Sequence, residues 1–128
     1  MTRDIKFNHK NNSYPVAFPN AGQWININLQ KASLTNGLYG AITRSFTKDG
    51  NVTLDMIDME AFFTVMMPKT FWKDIAVTSL QDLTIEDSLA LVNDYNEQIV
   101  PFIEGIRKVI DDLVKKGKEK VSDPTDEK

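Results

Sequence analysis

The stretch IKFNHKNNSYPVAF, residues 5–18, decides the fold that this sequence predicts. Residues 5–8 and 14–18 are short runs in which apolar and polar residues alternate, as they do in a strand with one buried face. The residues between them, HKNNS at 9–13, are typical of a turn. We therefore expect a β-hairpin at the start of the chain and a helical remainder, which makes the fold class α+β.

The length and composition favour one domain. The chain has 128 residues, enough to bury a core, and we place the domain at residues 1–114. Residues 115–128 are highly charged, and we expect a disordered tail there. Cysteine is absent, which excludes disulfides and cysteine nucleophiles. No signal peptide is recognisable, and no apolar run approaches the roughly 20 residues that span a bilayer. The expectation is an intracellular, soluble protein with no membrane partner.

The net charge of −3 is distributed unevenly. Residues 1–51 carry +4, residues 52–114 carry −8 and residues 115–128 carry +1. No basic face accompanies exposed aromatic residues, and the acidic middle segment would repel phosphate, so the pattern argues against a nucleic-acid partner. Opposite charges on two segments instead favour contacts between copies of the chain, or with a protein partner, through complementary patches.

The segment after the hairpin predicts a helix. Asn20 is placed to cap it, and Trp24, Ile27 and Leu34 keep helical spacing. Residues 25–29 also alternate with period two, which leaves a strand as the alternative. Asn and Gly in Thr35–Gly37 accept left-handed backbone angles, so we expect the helix to end there.

The rest of the domain predicts further helices. A short one is expected over Leu38–Phe46, before a turn at residues 48–50, and Val52–Met67 forms the most apolar one, which Pro68 ends. A long helix should start after Thr84 and run to about residue 113, with a kink or break at Pro101. The predicted architecture is thus an N-terminal hairpin packed on a body of four to five helices.

No pattern of catalytic or metal-binding residues stands out. The single histidine, His9, has no acid, serine or second histidine near it in sequence, so an exposed turn residue is the favoured interpretation. Asp55, Asp58 and Glu60 could approach a divalent cation, but a solvated helix face explains them more simply. Gly37 and Gly40 lack the lysine of a phosphate-binding loop. We predict no catalytic, cofactor or metal site, and no bound cofactor.

The remaining candidates for function are apolar. Four of the five methionines lie between residues 56 and 67, and two aromatic residues follow closely after them. Methionine-rich surfaces adapt to partners and tryptophan is enriched at interface hot spots, although both types also fill cores. A core role is favoured for the methionines, while core and interface remain equal alternatives for the aromatic pair. The candidate partner-binding residues are Met66, Met67, Phe71 and Trp72.

Several segments together resemble the tail assembly chaperones of tailed bacteriophages: the hairpin of Phe7–Phe18, the helix start Gly22–Ile25, the turn Leu34–Gly40 and the helix from Ile57 to Pro68. The resemblance covers most of the chain in outline. It implies a protein that coats the tape measure protein, keeps its long apolar helices soluble, and recruits tail tube subunits. It implies no catalytic residues.

The function expected from the sequence is therefore that of a non-enzymatic protein-interaction module, a tail assembly chaperone or related assembly factor. Its partners would be phage tail or virion proteins, and it would act in the host cytoplasm. The alternative is a structural virion protein, such as a neck, connector or capsid-associated protein, that remains in the particle. A small enzyme or metal-dependent nuclease would need residues that the sequence lacks.

Overall fold

A computed structural model describes residues 3–39, 41 and 52–122 of the chain. In order, these contain strands β1 (Ile5–His9) and β2 (Asn12–Val16), helices α1 (Ala21–Leu34), α2 (Val52–Met66) and α3 (Lys69–Ile75), one turn of 3-10 helix (Leu80–Asp82) and helix α4 (Ile85–Ser122). The α+β class and the N-terminal hairpin are confirmed.

The hairpin is antiparallel, with Phe7 opposite Tyr14. Its two-residue turn has positive φ at both positions, 49° at Lys10 and 67° at Asn11. This is the type I′ geometry, whose twist matches that of the paired strands. One face of the hairpin is buried against the helices and consists of Phe7, His9, Tyr14 and Val16.

Helix α1 begins and ends where the sequence predicted, and residues 25–29 are helical. The Asn20 side chain accepts a hydrogen bond from the Gln23 backbone N–H at 2.8 Å, and the Gln23 side chain accepts one from the Asn20 N–H at 3.0 Å. This reciprocal capping box satisfies two backbone donors that the first turn leaves free. At the other end, Gly37 has a φ of 80° and its N–H donates to the Ala32 carbonyl at 2.7 Å.

Helix α2 is the centre of the fold, since it packs against both α1 and α4. Its second half is buried almost all round: Ala61, Phe62 and Phe63 are fully enclosed. The aromatic rings continue into neighbouring elements, with Phe63 edge-on to Phe7 and to Phe71, each at 5.1 Å between ring centroids. This aromatic cluster joins the hairpin, α2 and α3 into one core.

Helix α4 begins as predicted, because the Thr84 hydroxyl accepts a hydrogen bond from the Asp87 N–H at 3.1 Å. The helix continues through Pro101, which is exposed, so of the predicted kink or break the break is absent. It also continues to Ser122, beyond the predicted end of the domain at residue 114, although residues 111–117 are all exposed. Thus the part of the predicted tail from 115 to 122 is helical.

Some predictions fall on other parts of the chain. Most of the short helix predicted over Leu38–Phe46 and the whole turn at residues 48–50 lie outside the described residues, as do residues 123–128. Among the helices that are described, none combines the length and the apolar composition needed to cross a membrane.

Two glycines provide a matched test of this backbone geometry. Gly105 lies exposed in α4 with open space where a Cβ would be, so Gly105→Ala should raise the free energy of unfolding by about 0.5–1 kcal/mol. Gly37 also has open space but a φ of 80°, so Gly37→Ala should lower it by about 1 kcal/mol. Urea denaturation of both variants measures the two changes, and equal signs would contradict the assigned conformations.

Candidate functional site

A cleft of about 130 Å³ lies where the hairpin turn meets the helices. The hairpin contributes His9, Lys10 and Tyr14, α3 contributes Asp74 and α4 contributes Asp87, and three apolar side chains also line it. The hairpin is far from both helices in sequence. Packing of the hairpin on the helices is what brings them together.

His9 is not the exposed turn residue that the sequence predicted. Its side chain is 6% exposed, and its Nδ1 lies 2.6 Å from Oδ2 of Asp94 on α4. The prediction failed because these partners are 85 positions apart, and no local pattern links them. Since β1 ends at His9, the alternation that buries Phe7 also turns the imidazole toward α4.

A second polar pair fixes the same strand one residue earlier. The Asn8 N–H donates to Oε1 of Gln98 at 2.7 Å, and Nε2 of Gln98 donates to the Asn8 carbonyl at 2.8 Å. One amide side chain thus satisfies both backbone groups of Asn8, as a neighbouring strand would. Asp94 and Gln98 are one helical turn apart on α4, so together they hold consecutive residues of β1.

Tyr14 extends the polar contacts to α3. Its hydroxyl donates to Oδ2 of Asp74 at 2.8 Å, while its ring lies edge-on to Phe71 at 5.3 Å. Burial raises the pKa of the Tyr14 hydroxyl to about 12, and the neighbouring Asp74 carboxylate adds to this effect. Deprotonation of Tyr14 would therefore weaken the attachment of the hairpin to α3, and so would loss of the Asp74 carboxylate.

The polar contacts around the cleft are structural. His9, Asn8 and Tyr14 each join the hairpin to a helix, so their polar groups are engaged in holding the fold together. Among the described residues, no group of three histidine, aspartate or glutamate side chains is placed to hold a metal ion. Together these contacts form a polar seam between the hairpin and the helical body, and His9 and Tyr14 of this seam line the cleft.

The carboxylates of α2 also differ from their predicted role as a solvated face. Asp58 accepts a hydrogen bond from the Tyr39 hydroxyl at 2.7 Å, and its Oδ1 lies 3.7 Å from Nζ of Lys31. Glu60 accepts one from the Ser79 hydroxyl at 2.9 Å. Burial, together with Asp58, raises the pKa of Tyr39 above its usual range. These acids anchor neighbouring segments to α2.

The charge segregation along the sequence is thus used partly within the chain. Lys31, from the positive first third, pairs with an acid of α2, and Lys10 lies 3.8 Å from Asp87 of α4. These contacts within the chain pair some of the charges from which we predicted complementary patches between copies. Association of copies through those patches remains a prediction.

The predicted partner-binding residues have mostly core positions. Phe71 is fully buried in the aromatic cluster, and Met66 and Met67 are also buried. Trp72 is the exception, because it is half-buried, with its ring edge-on to Phe71 at 5.4 Å. In this fold, then, three of the four candidates contribute to packing, and only Trp72 presents part of its surface.

Other apolar side chains are exposed at positions for which the sequence predicted no interface. Ile25 and Leu29 on α1 are 57% and 58% exposed, and Leu113 and Val114 near the end of α4 are 62% and 50% exposed. The period-two alternation of residues 25–29 was the available signal for Ile25 and Leu29. This alternation arises because α1 carries apolar residues on two sides.

Comparison with protein-family models, with curated proteins and with solved structures found no match for this chain.

The His9–Asp94 pair of the seam should be energetically coupled. We expect a double-mutant cycle of His9→Ala and Asp94→Ala to give a coupling of about 1–3 kcal/mol, because Asp94→Ala leaves the buried imidazole without its partner. Lys10 and Asp87 provide the control: they connect the same turn and helix but are more than half exposed, so their coupling should stay below about 0.5 kcal/mol. Urea denaturation measures both. Similar couplings for the two pairs would contradict the structural role of His9.

The raised pKa of Tyr14 predicts how the free energy of unfolding responds to alkaline pH. Because its pKa is raised from 10.0 to about 12 in the folded state, its stabilising contribution is present below pH 10.0 and is lost as the pH rises toward 12. Tyr14→Phe should make the fall in stability over this range shallower. Denaturation at a series of pH values compares the variant with the wild type, and parallel curves would show that Tyr14 titrates as an ordinary phenol.

Proposed function

We propose that this chain is a non-enzymatic protein-interaction module that binds an apolar helix of a partner protein, as a phage tail assembly chaperone binds the tape measure protein. Its partners are phage tail proteins, and it acts in the host cytoplasm. The observation that supports this most directly is an outward-facing apolar stripe on α1, formed by Ala21, Ile25, Leu29 and Ala32.

The stripe has the spacing of one helical face, with successive steps of four, four and three residues. All four members are exposed, whereas Ile27 and the half-buried Trp24 and Leu34 face the core. An isolated surface helix normally places charged residues on its outer side. Here the only charged residue of α1 is Lys31, and it pairs with Asp58.

This surface chemistry favours one type of partner. An uncharged apolar stripe about three turns long fits the apolar face of an amphipathic helix, as in helix-in-groove recognition. The flanking side chains are uncharged and polar, with Asn26 on one side and Asn28 on the other. They add no charge that would select one client sequence over another, which suits a protein that covers many turns of a long helix.

Co-expression with the tape measure protein of the same genome tests this function. Ile25→Lys combined with Leu29→Lys should sharply reduce the fraction of tape measure protein that stays soluble, because each lysine replaces an exposed apolar contact. Asn26→Lys combined with Ser33→Lys is the control, since it adds the same charge at exposed positions of α1 beside the stripe.

Equal solubility with both double variants would contradict the role of the stripe. Retention of the chain in purified virions would favour the structural alternative over a chaperone. Thermal melting of each variant establishes that the fold is intact, which the exposure of all four positions leads us to expect.

A further inference from the structure

The last turns of α4 carry the core-facing side of the helix beyond the body of the protein. Ile106 is 2% exposed and Ile110 is half-buried against the core, whereas Leu113 is 62% exposed. These residues follow one another at intervals of four and three, so they lie on one face. The face that packs against the body up to Ile110 therefore continues as an uncovered apolar surface at Leu113 and Val114.

The charges beside this surface are ordered. Asp111 and Asp112 precede it, and Lys115 and Lys116 follow it, and all four are exposed. Further lysines stand at sequence positions 118 and 120. Arg107 and Lys108 lie one turn before the aspartates and Glu119 stands among the later lysines, so the order acidic, apolar, basic holds over Asp111–Lys116.

We propose that this segment of α4 pairs with the same segment of a second copy of the chain, with the two helices antiparallel and centred near Val114. In that arrangement, Leu113 of each copy packs on the apolar surface of the other, and Asp112 lies at the level of Lys116 of the second copy. The pairing does not depend on the proposed function of the α1 stripe.

Charge order determines both the partner and the direction. Two antiparallel copies bring Asp112 against Lys116 twice, because the symmetry repeats each contact. A parallel pair would place Asp112 at the level of Asp112 and Lys116 at the level of Lys116, so it would lack this complementary contact. Because Asp112 and Lys116 are four positions apart, they lie on the same side of the apolar surface. This allows Asp112 of one copy to contact Lys116 of the other in an antiparallel pair.

Gly117 supports close approach of the two helices. It lies one turn after Leu113 on the same face, it is exposed, and open space surrounds the position of its missing Cβ. A glycine costs stability in a helix, but it leaves room for a bulky side chain from the other helix. In the antiparallel pair, Gly117 lies near Ile110 of the second copy, so a small residue meets a large one.

The contact is short, and the dimer should be weak. The helix from Ile106 to Ser122 extends roughly 24 Å at 1.5 Å per residue, which provides only a few layers of side chains. Interfaces of this size are typical of transient association. Exposed ion pairs flank the apolar contact, so salt should weaken the pairing.

Sedimentation equilibrium of the full chain, over a wide range of concentration and at low and high salt, tests the proposal. The wild type should dimerise reversibly, and Leu113→Lys should weaken the dimer about tenfold or more, which corresponds to at least about 1.4 kcal/mol. Ile85→Lys is the control, because Ile85 is an equally apolar residue, 73% exposed, at the opposite end of the same helix. It should leave the dimer unchanged.

Charge reversal tests the direction of the pairing. Asp112→Lys and Lys116→Asp should each weaken self-association, because each variant places like charges opposite one another. An equimolar mixture of the two should restore a heterodimer, since all four facing charges are then complementary. A chain that stays monomeric at every concentration, equal weakening by Ile85→Lys, or a dimer that salt strengthens would each overturn the proposal.

Discussion

Contact between the Phe7 ring and the rings of α2 and α3 is the interaction on which the rest of the structure depends. A two-stranded hairpin is marginal in water by itself, because it has no second layer against which to bury a face. Phe7 lies 5.1 Å from Phe63 and 6.3 Å from Phe71 between ring centroids, and Tyr14 lies 5.3 Å from Phe71. The helices thus supply the apolar surface that makes the strands stable, and the strands in turn cover the aromatic end of α2.

Apolar contact is not directional, so it does not by itself fix where the hairpin sits. The polar contacts do this, because they require particular atoms to meet. The type I′ turn at Lys10 and Asn11 sets the register, and the alternation along β1 places His9 on the same face as Phe7. A slip of one residue would turn His9 to solvent and leave Asp94 without its partner. The seam and the aromatic cluster therefore support the same arrangement.

Local signals made much of this fold predictable from the sequence. The capping box at Asn20, the helix end at Gly37 and the cap at Thr84 each depend on residues within five positions of one another. The contact between His9 and Asp94 was not predictable in this way, because only packing brings together residues 85 positions apart. Composition also failed to separate core from surface at Phe71, since a buried ring and an interface ring have the same sequence signature.

The two apolar surfaces are exposed for different reasons, and their positions connect them. The stripe on α1 is exposed because the opposite side of that helix packs on α2. The end of α4 is exposed because the helix extends beyond the body of the protein. Lys31 of α1 and Arg107 of α4 line one cleft of about 220 Å³, so the last turns of α1 lie near the part of α4 that precedes the projecting segment. Pairing through α4 would therefore place two α1 stripes in one assembly. A long client helix that contacts both stripes gains affinity through the raised effective concentration of the second, even if each contact is weak.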